Sequence, residues 1–273
     1  MARRQRLDLR LLELGLVTSR QQAQQLIRAG RVRLGDRILD KPGQEISLEA
    51  LPSVLLPPRY VSRGGEKLAA ALQQLPIEVA GRCCLDAGIS TGGFSDCLLQ
   101  HGASFIYGID VGYGQTAWSL RSDPRLRLRE RTNLRHLSPE QLYAPSEPRP
   151  SLAVADLSFI SLALVLPALL NLLQEGNQAE GLLLVKPQFE VGRERVGKGG
   201  VVRDPAAHAD AISMVAAAAN PLGWLPRGLV GSPITGAAGN HEYLLWLGPT
   251  PTFAPEAWLQ KVATVVRRTN APV

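Results

Sequence analysis

The chain has 273 residues, of which 45% are hydrophobic and 20% are charged. This length is typical of two domains, and the composition favours a packed core and excludes a disordered tail. The formal net charge is +6, and the whole excess lies near the start: residues 1–63 contain 12 Lys and Arg against 6 Asp and Glu, whereas residues 64–273 contain 18 of each. We therefore expect a basic N-terminal segment joined to a larger domain with balanced charges.

The apolar segments are too short to span a membrane. The longest, residues 160–173, is interrupted by Pro167, whereas a membrane-spanning helix needs about 20 apolar residues. The first residues, MARRQRLDLR, lack the apolar core of a secretory signal. Cys83 and Cys84 are adjacent and Cys97 makes the count odd, which favours reduced, buried thiols over a disulfide framework or a metal site. We predict a cytoplasmic protein without a structural metal.

Two short helices are predicted near the N-terminus. Apolar residues in segment 7–14 recur at helical spacing, and Gly15 can adopt the left-handed conformation that ends a helix. Ser19 is a suitable N-cap for a second helix over residues 20–29, which ends at Gly30. Residues 32–38 then predict a β-hairpin, because apolar positions flank a Gly-Asp turn.

Basic side chains cluster on this small unit. They are Arg20, Arg28, Arg31, Arg33, Arg37 and Lys41. A one-sided basic surface is typical of a nucleic-acid binder, although a solvated charged face is the plain alternative. The pattern LDLRLLELGLVTSRQQAQQLIRAGRVRLGDRILDKPG resembles the S4 RNA-binding domain over residues 6–48, and this resemblance favours RNA. Residues 51–58 contain three prolines and predict a stiff linker, so we divide the chain into domains 1–58 and 59–273.

The larger domain alternates short apolar runs with helical segments. The runs are Cys83–Leu85, Phe105–Ile109, Leu126–Arg131, Leu152–Ala155 and Leu182–Val185. This alternation predicts an α/β fold in which helices cover both faces of a mostly parallel sheet. In such sheets ligands bind beyond the carboxyl ends of the strands.

Ionisable residues close four of these runs. Asp86 follows CCL, Asp110 follows FIYGI, Asp156 follows LAVA and Lys186 follows LLLV. The carboxyl ends of parallel strands lie at one edge, so we expect the four side chains near the same crevice.

Topology adds two further charges to this edge. A parallel strand is predicted over Leu229–Ile234, and only eight residues separate it from the apolar run Tyr243–Leu247. A parallel crossover needs a dozen or more residues, so the connection is a hairpin and the last strand is antiparallel, which returns Glu242 to the edge. A helix over residues 64–75 feeds the first strand and begins at the same edge, which brings Lys67 there.

Simpler explanations exist for each of these residues. Asp156 and Lys186 could form a structural ion pair that caps the sheet. Glu242 could pair with His241 or with a surface arginine, and Lys67 alone could be an ordinary exposed helix residue. The hypothesis of one reaction centre rests on the four residues together, whose formal charges sum to zero.

The turn after the first strand, Asp86-Ala-Gly-Ile-Ser-Thr-Gly-Gly, is rich in glycine. Gly88 and Gly92 do not fit the G-x-G-x-x-G dinucleotide pattern, and the Lys-Ser/Thr of a phosphate-binding loop is absent. Glycines here still allow a ligand to approach the backbone closely, and the spacing suits the amino acid moiety of S-adenosylmethionine. Asp110 would accept hydrogen bonds from ribose hydroxyls. A plain strand-to-helix connection is the alternative.

Seven segments together resemble the TlyA family. They are YVSRGGEKL (60–68), LDAGISTGGFSDCLL (85–99), GIDVGYGQTAW (108–118), ERTN (130–133), ADLSFISL (155–162), LVKPQFEVGRERVGKGGVVRDP (184–205) and GNHEYLLW (239–246). Proteins of this family carry haemolysin names, and the characterised examples are ribosomal RNA 2'-O-methyltransferases in which an S4 domain precedes an FtsJ-like domain. The resemblance covers nearly the whole chain. It departs at the linker, where relatives carry an RxW-type tetrapeptide and this chain has Arg-Tyr-Val-Ser at 59–62.

The resemblance implies a Rossmann-like class I methyltransferase fold with seven strands, the last of them antiparallel, and S-adenosylmethionine as cofactor. It places a Lys-Asp-Lys-Glu tetrad on catalytic positions, at Lys67, Asp156, Lys186 and Glu242. It places the cofactor-binding motifs on Asp86, Gly88, Gly92 and Asp110, with ERTN near the adenosine. The implied partner is ribosomal RNA or a ribosomal subunit.

Lys186 could act on a ribose 2'-oxygen in two ways. As a neutral amine it would remove the proton, and as an ammonium it would stabilise the developing negative charge. Two other classes of function compete with catalysis: a non-catalytic RNA-binding assembly factor, and a pore-former in the literal sense of the haemolysin name. The complete tetrad opposes the first, and the absence of a spanning segment from the sequence opposes the second.

Overall fold

The computed structural model describes residues 3–55, 58–176 and 178–271. The chain forms two compact units, residues 1–58 and residues 59–273. The first unit has a single apolar core, and the second has two, one on each face of its large sheet.

The first unit is a small α+β structure. Its elements in chain order are β1 (Arg4–Arg6), α1 (Leu7–Glu13), α2 (Arg20–Arg28), β2 (Val32–Leu34), β3 (Arg37–Ile38), β4 (Glu45–Ser47) and β5 (Ser53–Val54). The predicted N-cap is confirmed, since the Ser19 hydroxyl accepts a hydrogen bond from the Gln22 backbone N–H at 3.1 Å. Gly15 and Gly30 both adopt positive φ where the two helices end. The helices and the hairpin β2–β3 lie where the sequence predicts them.

The prediction that residues 51–58 form only a linker is wrong for Ser53 and Val54. These two residues form β5, which pairs antiparallel with β2, and Val54 packs against the core. Proline lacks an N–H donor, but the prolines of this segment flank the strand without interrupting it, so a short pairing remains possible. Leu56 and Pro57, which also belong to the predicted linker, lie outside the described residues.

The second unit alternates strands and helices. Its elements are α3 (Gly64–Gln74), β6 (Cys83–Ala87), α4 (Gly93–Gln100), β7 (Phe105–Ile109), α5 (Trp118–Arg121), β8 (Leu126–Arg129), α6 (Pro139–Leu142), β9 (Leu152–Ala155), α7 (Leu166–Asn171), β10 (Glu180–Val185), α8 (Pro187–Glu190), α9 (Pro205–Ala219), β11 (Leu225–Gly231), β12 (Tyr243–Gly248) and α10 (Pro255–Thr269). Short 3₁₀ segments lie at Leu134–His136, Leu162–Leu164, Arg193–Arg195, Lys198–Gly200 and Asn220–Leu222.

The seven strands form one sheet in the order β11-β12-β10-β9-β6-β7-β8. β12 is antiparallel to both of its neighbours, and the remaining pairs are parallel. Successive side chains of β6 enter opposite cores: Leu85 faces the layer of α7, α9 and α10, and Cys84 faces the layer of α3 and α4. Burying one leucine completely contributes about 1.5–3 kcal/mol. The structure confirms the predicted Rossmann-like class I methyltransferase fold with an antiparallel last strand.

Among the strand boundaries that differ from the prediction, the ends of β11 and β6 lie at the carboxyl edge of the sheet. β11 begins at Leu225 and ends at Gly231, so the predicted strand 229–234 is too late along the chain. Pro233 has no N–H for the ladder, and the Ser232 hydroxyl donates to the Ile234 carbonyl at 2.5 Å, which turns the chain out of the sheet. β6 continues to Ala87, so Asp86 lies within the strand and not beyond it.

Two further predictions concern reduced, buried cysteines and the length of apolar helices. Cys83, Cys84 and Cys97 are free and buried, and burial raises the pKa of each thiol to about 12. Within residues 3–55, 58–176 and 178–271, no helix has the length and apolar character needed to cross a bilayer.

Candidate active site

A cavity of about 690 Å³ opens at the carboxyl edge of the parallel strands. Its lining includes all four members of the predicted tetrad, which are Lys67, Asp156, Lys186 and Glu242. Glycine-turn residues Gly88 and Ser90 line the same cavity. The topological prediction that these charges meet at one edge is confirmed by their positions. What each residue does there stays a prediction.

Lys67 and Glu242 form the first ion pair of the cavity. α3 begins at this edge, and antiparallel β12 returns Glu242 to it, so residues 175 positions apart in the sequence come into contact. Lys67 Nζ lies 2.5 Å from Glu242 Oε2, and the residues are only 8% and 3% exposed. Glu242 therefore pairs with Lys67 and not with His241 or an arginine. Such burial strengthens the attraction but also carries a desolvation cost for both charges.

Lys186 and Asp156 form the second ion pair. They follow the adjacent parallel strands β10 and β9, and Lys186 Nζ lies 2.6 Å from Asp156 Oδ1. Lys186 Nζ also donates to Ser158 Oγ at 2.8 Å. An ammonium has three N–H donors, and in the described part of the chain these are its two partners, so one donor remains for a ligand in the cavity. The proposed structural ion pair thus exists, and it also lines the cavity.

The glycine turn has the conformation that only glycine adopts readily. Gly88 has φ +83°, and a Cβ there would lie 2.7 Å from the Asp156 carbonyl oxygen. Gly92 has φ +98° at the start of α4, and a Cβ there would collide with Leu120. Both positions therefore require glycine for steric reasons. The turn brings backbone close to the cavity, as the sequence predicts.

Asp110 lies beside a second cavity of about 430 Å³. Its half-buried carboxylate accepts backbone N–H bonds from Ser90 at 2.7 Å and from Gly112 at 2.6 Å, which fixes its position beyond β7. Thr132 and Asn133 of the ERTN segment line the same space. The two cavities share the lining residues Gly88, Ser90, Asp156, Ser158 and Phe159, so they adjoin.

Asp86 is placed differently from the other predicted cofactor residues. It is fully buried, it does not appear in the lining of either cavity, and its Oδ2 accepts a hydrogen bond from Ser95 Oγ at 2.7 Å. Within the described residues its Oδ1 has no hydrogen-bond partner. Desolvation by burial raises the pKa of Asp86 to about 7. Its predicted cofactor role stays a prediction, and its contact with Ser95 allows only an indirect one, through the start of α4.

Sequence analysis missed three features of the site. Ser158 is the second partner of the Lys186 ammonium. Phe159 is 91% exposed with φ +65°, and its ring centroid lies 5.3 Å from that of Phe189 on the cavity wall. Asn240 joins two cavity loops, because its side chain accepts from Val202 N at 2.9 Å and donates to the Gly200 carbonyl at 2.9 Å. Ser158 and Phe159 lie in the segment ADLSFISL and Asn240 lies in GNHEYLLW, so the signal for all three was the family resemblance of these segments.

Among the described residues, no group of three or more His, Cys, Asp and Glu side chains is arranged to hold a metal ion.

Comparison with known proteins agrees with both units. The family of FtsJ-like methyltransferases matches residues 60–249, and the S4 domain matches residues 5–51. The chain is 52% identical over 249 residues to the 16S/23S rRNA (cytidine-2'-O)-methyltransferase TlyA of Mycobacterium tuberculosis, which covers 90% of this chain and 91% of the relative. It is 37% identical over 206 residues to the 23S rRNA (cytidine-2'-O)-methyltransferase TlyA of Campylobacter jejuni, covering 75% and 77%.

A solved structure extends this likeness to three dimensions. A protein of Streptococcus thermophilus that is named as a hemolysin has 38% sequence identity and a TM-score of 0.72, covering 98% of this chain and 96% of that one. The two domain matches follow the chain in order, the S4 domain first and the FtsJ-like methyltransferase second. The chain is therefore a methyltransferase of the FtsJ-like family and belongs to its TlyA group, in which an S4 domain precedes the catalytic domain.

Proposed function

We propose that this protein transfers a methyl group from S-adenosylmethionine to a ribose 2'-hydroxyl of a cytidine in ribosomal RNA. The proposal depends chiefly on one observation: two lysine–carboxylate pairs meet at the rim of a cavity that adjoins the glycine turn. The names of the M. tuberculosis and C. jejuni relatives supply the cytidine and the ribosomal RNA. Methylation of ribosomal RNA would take place in the cytoplasm, the location that the sequence predicts.

The second cavity fits the cofactor in its chemistry. A nucleoside needs a carboxylate for its ribose hydroxyls and apolar walls for its base. Asp110 supplies the carboxylate, and apolar residues such as Val111, Leu134 and Ile160 contribute to the walls. Gly88 lines both this space and the tetrad cavity. We therefore propose that S-adenosylmethionine occupies the second cavity.

When bound, S-adenosylmethionine supplies an activated methyl group on a sulfonium. The chain must then align the 2'-oxygen and stabilise the charge that develops on it. In our proposal the remaining N–H of Lys186 donates a hydrogen bond to the 2'-oxygen. Asp156 and Ser158 hold the amine in place. Asp156 and Ser158 occupy two of its N–H donors and leave the third for the 2'-oxygen, so we propose electrostatic stabilisation by Lys186 and not proton removal.

Lys67 adds a second positive charge at the same rim. Glu242 fixes its ammonium and balances its charge, so the four side chains together are formally neutral. We propose that the Lys67 ammonium makes the electrostatic potential at the substrate oxygen more positive, and that its ion pair with Glu242 keeps the rim of the cavity rigid. In a water-poor site, such fixed charges act more strongly than they would in bulk solvent.

The first unit supplies the RNA-binding surface in this proposal. Phosphate contacts by Lys and Arg dominate the affinity of proteins for nucleic acids. Asp8 is fully buried, and its carboxylate accepts hydrogen bonds from Arg6, Arg20 and Gln24 at 3.0–3.1 Å. The Arg6 and Arg20 guanidinium groups are therefore held in fixed positions at the surface of this unit.

Methyl transfer to purified ribosomal subunits tests the proposal. With tritiated S-adenosylmethionine, we expect Lys186→Ala to abolish transfer while calorimetry shows the cofactor still bound, because Lys186 contacts the acceptor side of the site. Lys261→Ala, on α10, is the matched control and should retain activity. Mass-spectrometric mapping of the product should locate the methyl group on a cytidine ribose. Retention of most of the wild-type rate by Lys186→Ala would remove Lys186 from the reaction centre.

Two further variants separate the roles. Lys186→Arg keeps the positive charge but cannot act as a base, so measurable residual transfer supports electrostatic stabilisation, and loss equal to that of Lys186→Ala supports proton removal. Asp110→Ala should weaken cofactor binding first. Unchanged calorimetric affinity in Asp110→Ala would exclude the ribose contact.

A further inference from the structure

We propose that Glu190 is a positioning residue for methyl transfer, because it holds the segment Asp156–Leu162 in the conformation that presents Asp156 and Ser158 to Lys186. We refer to this segment, residues 156–162, as the rim loop. The inference rests on the proposed function, and it adds a residue that lines neither cavity and whose carboxylate accepts hydrogen bonds from Ser161 and Leu162.

The rim loop needs a constraint to keep its shape. It has no regular structure until the 3₁₀ segment at Leu162, yet it carries Asp156, Ser158 and Phe159 into both cavities. Phe159 has φ +65°, a conformation that costs a residue with a Cβ free energy and persists only where neighbouring contacts enforce it. Phe159 is 91% exposed, so burial of its own side chain does not provide that enforcement.

The two ends of the rim loop are tied down differently. At the first end, the Asp156 N–H donates to the Ala87 carbonyl at 3.1 Å, which continues the ladder of the sheet. At the other end, Glu190 makes a two-point attachment: Ser161 Oγ donates to Oε2 at 2.6 Å, and the Leu162 N–H donates to Oε1 at 2.9 Å. Hydrogen bonds to an ionised group are stronger than those between neutral groups.

Glu190 also connects the rim loop to the turn that carries Lys186. It is the last residue of α8, which begins immediately after Lys186. Two hydrogen bonds therefore join the rim loop to the segment 186–190. Ser158 accepts from Lys186 at the start of that segment, and Ser161 donates to Glu190 at its end. Loss of the Glu190 carboxylate removes the second of these attachments at a position outside the lining of both cavities.

The burial of Glu190 has an energetic cost that indicates a specific role. The residue is 8% exposed, and desolvation raises the pKa of its carboxyl, while the hydrogen bonds from Leu162 and Ser161 lower it. Within the described residues it makes no salt bridge with Lys, Arg or His. Burying a carboxyl group costs desolvation free energy that an apolar side chain of the same size would not cost. Here each carboxylate oxygen accepts a hydrogen bond from the rim loop, which offsets that cost.

Kinetics of three variants test the proposal. Glu190→Ala should lower kcat by as much as about 100-fold, the effect of a misplacement of about 1 Å at a reaction centre. KM for S-adenosylmethionine should rise by a smaller factor, because the rim loop forms only part of the second cavity and Asp110 and the glycine turn remain. Glu190→Gln should restore most of kcat, since its amide oxygen can accept from Leu162 and its amide can donate to Ser161. Glu194→Ala, an exposed glutamate nearby, is the matched control and should behave as wild type.

Proteolysis supplies a readout independent of activity. Chymotrypsin can cleave after the exposed Phe159, and a rim loop released from Glu190 adapts to the protease more readily. Glu190→Ala should therefore raise that cleavage rate by at least about tenfold, the factor that one hydrogen bond to a charged group contributes. Glu190→Gln should cleave near the wild-type rate. Wild-type kcat in Glu190→Ala, unchanged cleavage after Phe159, or equal kcat losses in Glu190→Ala and Glu190→Gln would each overturn the proposal. If the wild-type protein fails to methylate ribosomal RNA, the proteolysis result still decides whether Glu190 holds the rim loop.

Discussion

Asp86→Asn is expected to change how stability depends on pH. Burial raises the pKa of Asp86 from 3.8 in the unfolded chain to about 7 in the folded protein. Between these values the folded protein binds a proton that the unfolded chain has lost, so the contribution of Asp86 to stability decreases as pH rises. Each pH unit corresponds to about 1.4 kcal/mol, which gives about 4 kcal/mol in total between pH 4 and pH 7. Above pH 7 the decrease is complete.

The asparagine amide cannot ionise, and it resembles the protonated acid in shape. Relative to wild type, Asp86→Asn should therefore gain about 4 kcal/mol of unfolding free energy between pH 4 and pH 8, whatever constant cost the substitution carries. Urea unfolding of both proteins at pH 4, 5, 6, 7 and 8 measures this difference. His208, whose pKa is lowered by burial, gives the opposite trend below its unfolded pKa of 6.5, but it is present in both proteins and cancels.

Glu78→Gln is the control for Asp86→Asn. Glu78 is exposed in the same unit, so Glu78→Gln removes a surface carboxyl and shows how much of the pH effect in Asp86→Asn comes from burial of the carboxyl. A constant difference for Asp86→Asn over the same range would refute the assignment of a protonated, buried acid at the start of the glycine turn.

Three other predictions concern stability and cofactor binding. Glu242→Leu should destabilise the protein by about 3–5 kcal/mol because it leaves the Lys67 ammonium buried without its partner; urea unfolding should show that adding Lys67→Met recovers much of this loss, and strictly additive losses would contradict the buried pair. Gly88→Ala should cost at least about 1–2 kcal/mol, since alanine must adopt φ +83° against the Asp156 carbonyl, and calorimetry should show weaker cofactor binding; native stability together with native affinity would exclude this steric requirement. Ser19→Ala should destabilise α2 by about 1 kcal/mol through loss of its N-cap, measurable as faster amide exchange in that helix, whereas unchanged exchange would mean that the cap contributes nothing.

The gathering of the tetrad was predictable because it depends on topology. Strand direction follows from connection length, and parallel strands place their carboxyl ends at one edge. Asp156 and Lys186 follow β9 and β10, and the hairpin before β12 returns Glu242. Which residues pair was not predictable, since Lys67 meets Glu242 through the packing of α3 on the sheet, across 175 positions of sequence.

Asp86 and the supposed linker show where local patterns are insufficient. The run CCL followed by an aspartate suggests a strand end, but neighbouring strands β7 and β9 extend the ladder to Ala87 and bury the carboxyl. Three prolines suggest a linker, but β2 offers an unpaired edge to Ser53 and Val54. In both cases the outcome depends on a pairing partner that is remote in the sequence.

The sequence by itself determined the charge division between the units, the sheet with its reversed last strand, the glycine turn and the edge at which the tetrad assembles. Each of these follows from rules that act over a few residues or from the length of a connection. Only the tertiary structure decided that Asp86 is enclosed, that Ser158 accepts a hydrogen bond from the Lys186 ammonium and that Glu190 accepts hydrogen bonds from Ser161 and Leu162. These features depend on contacts between segments brought together by packing, and no local period or spacing encodes such contacts.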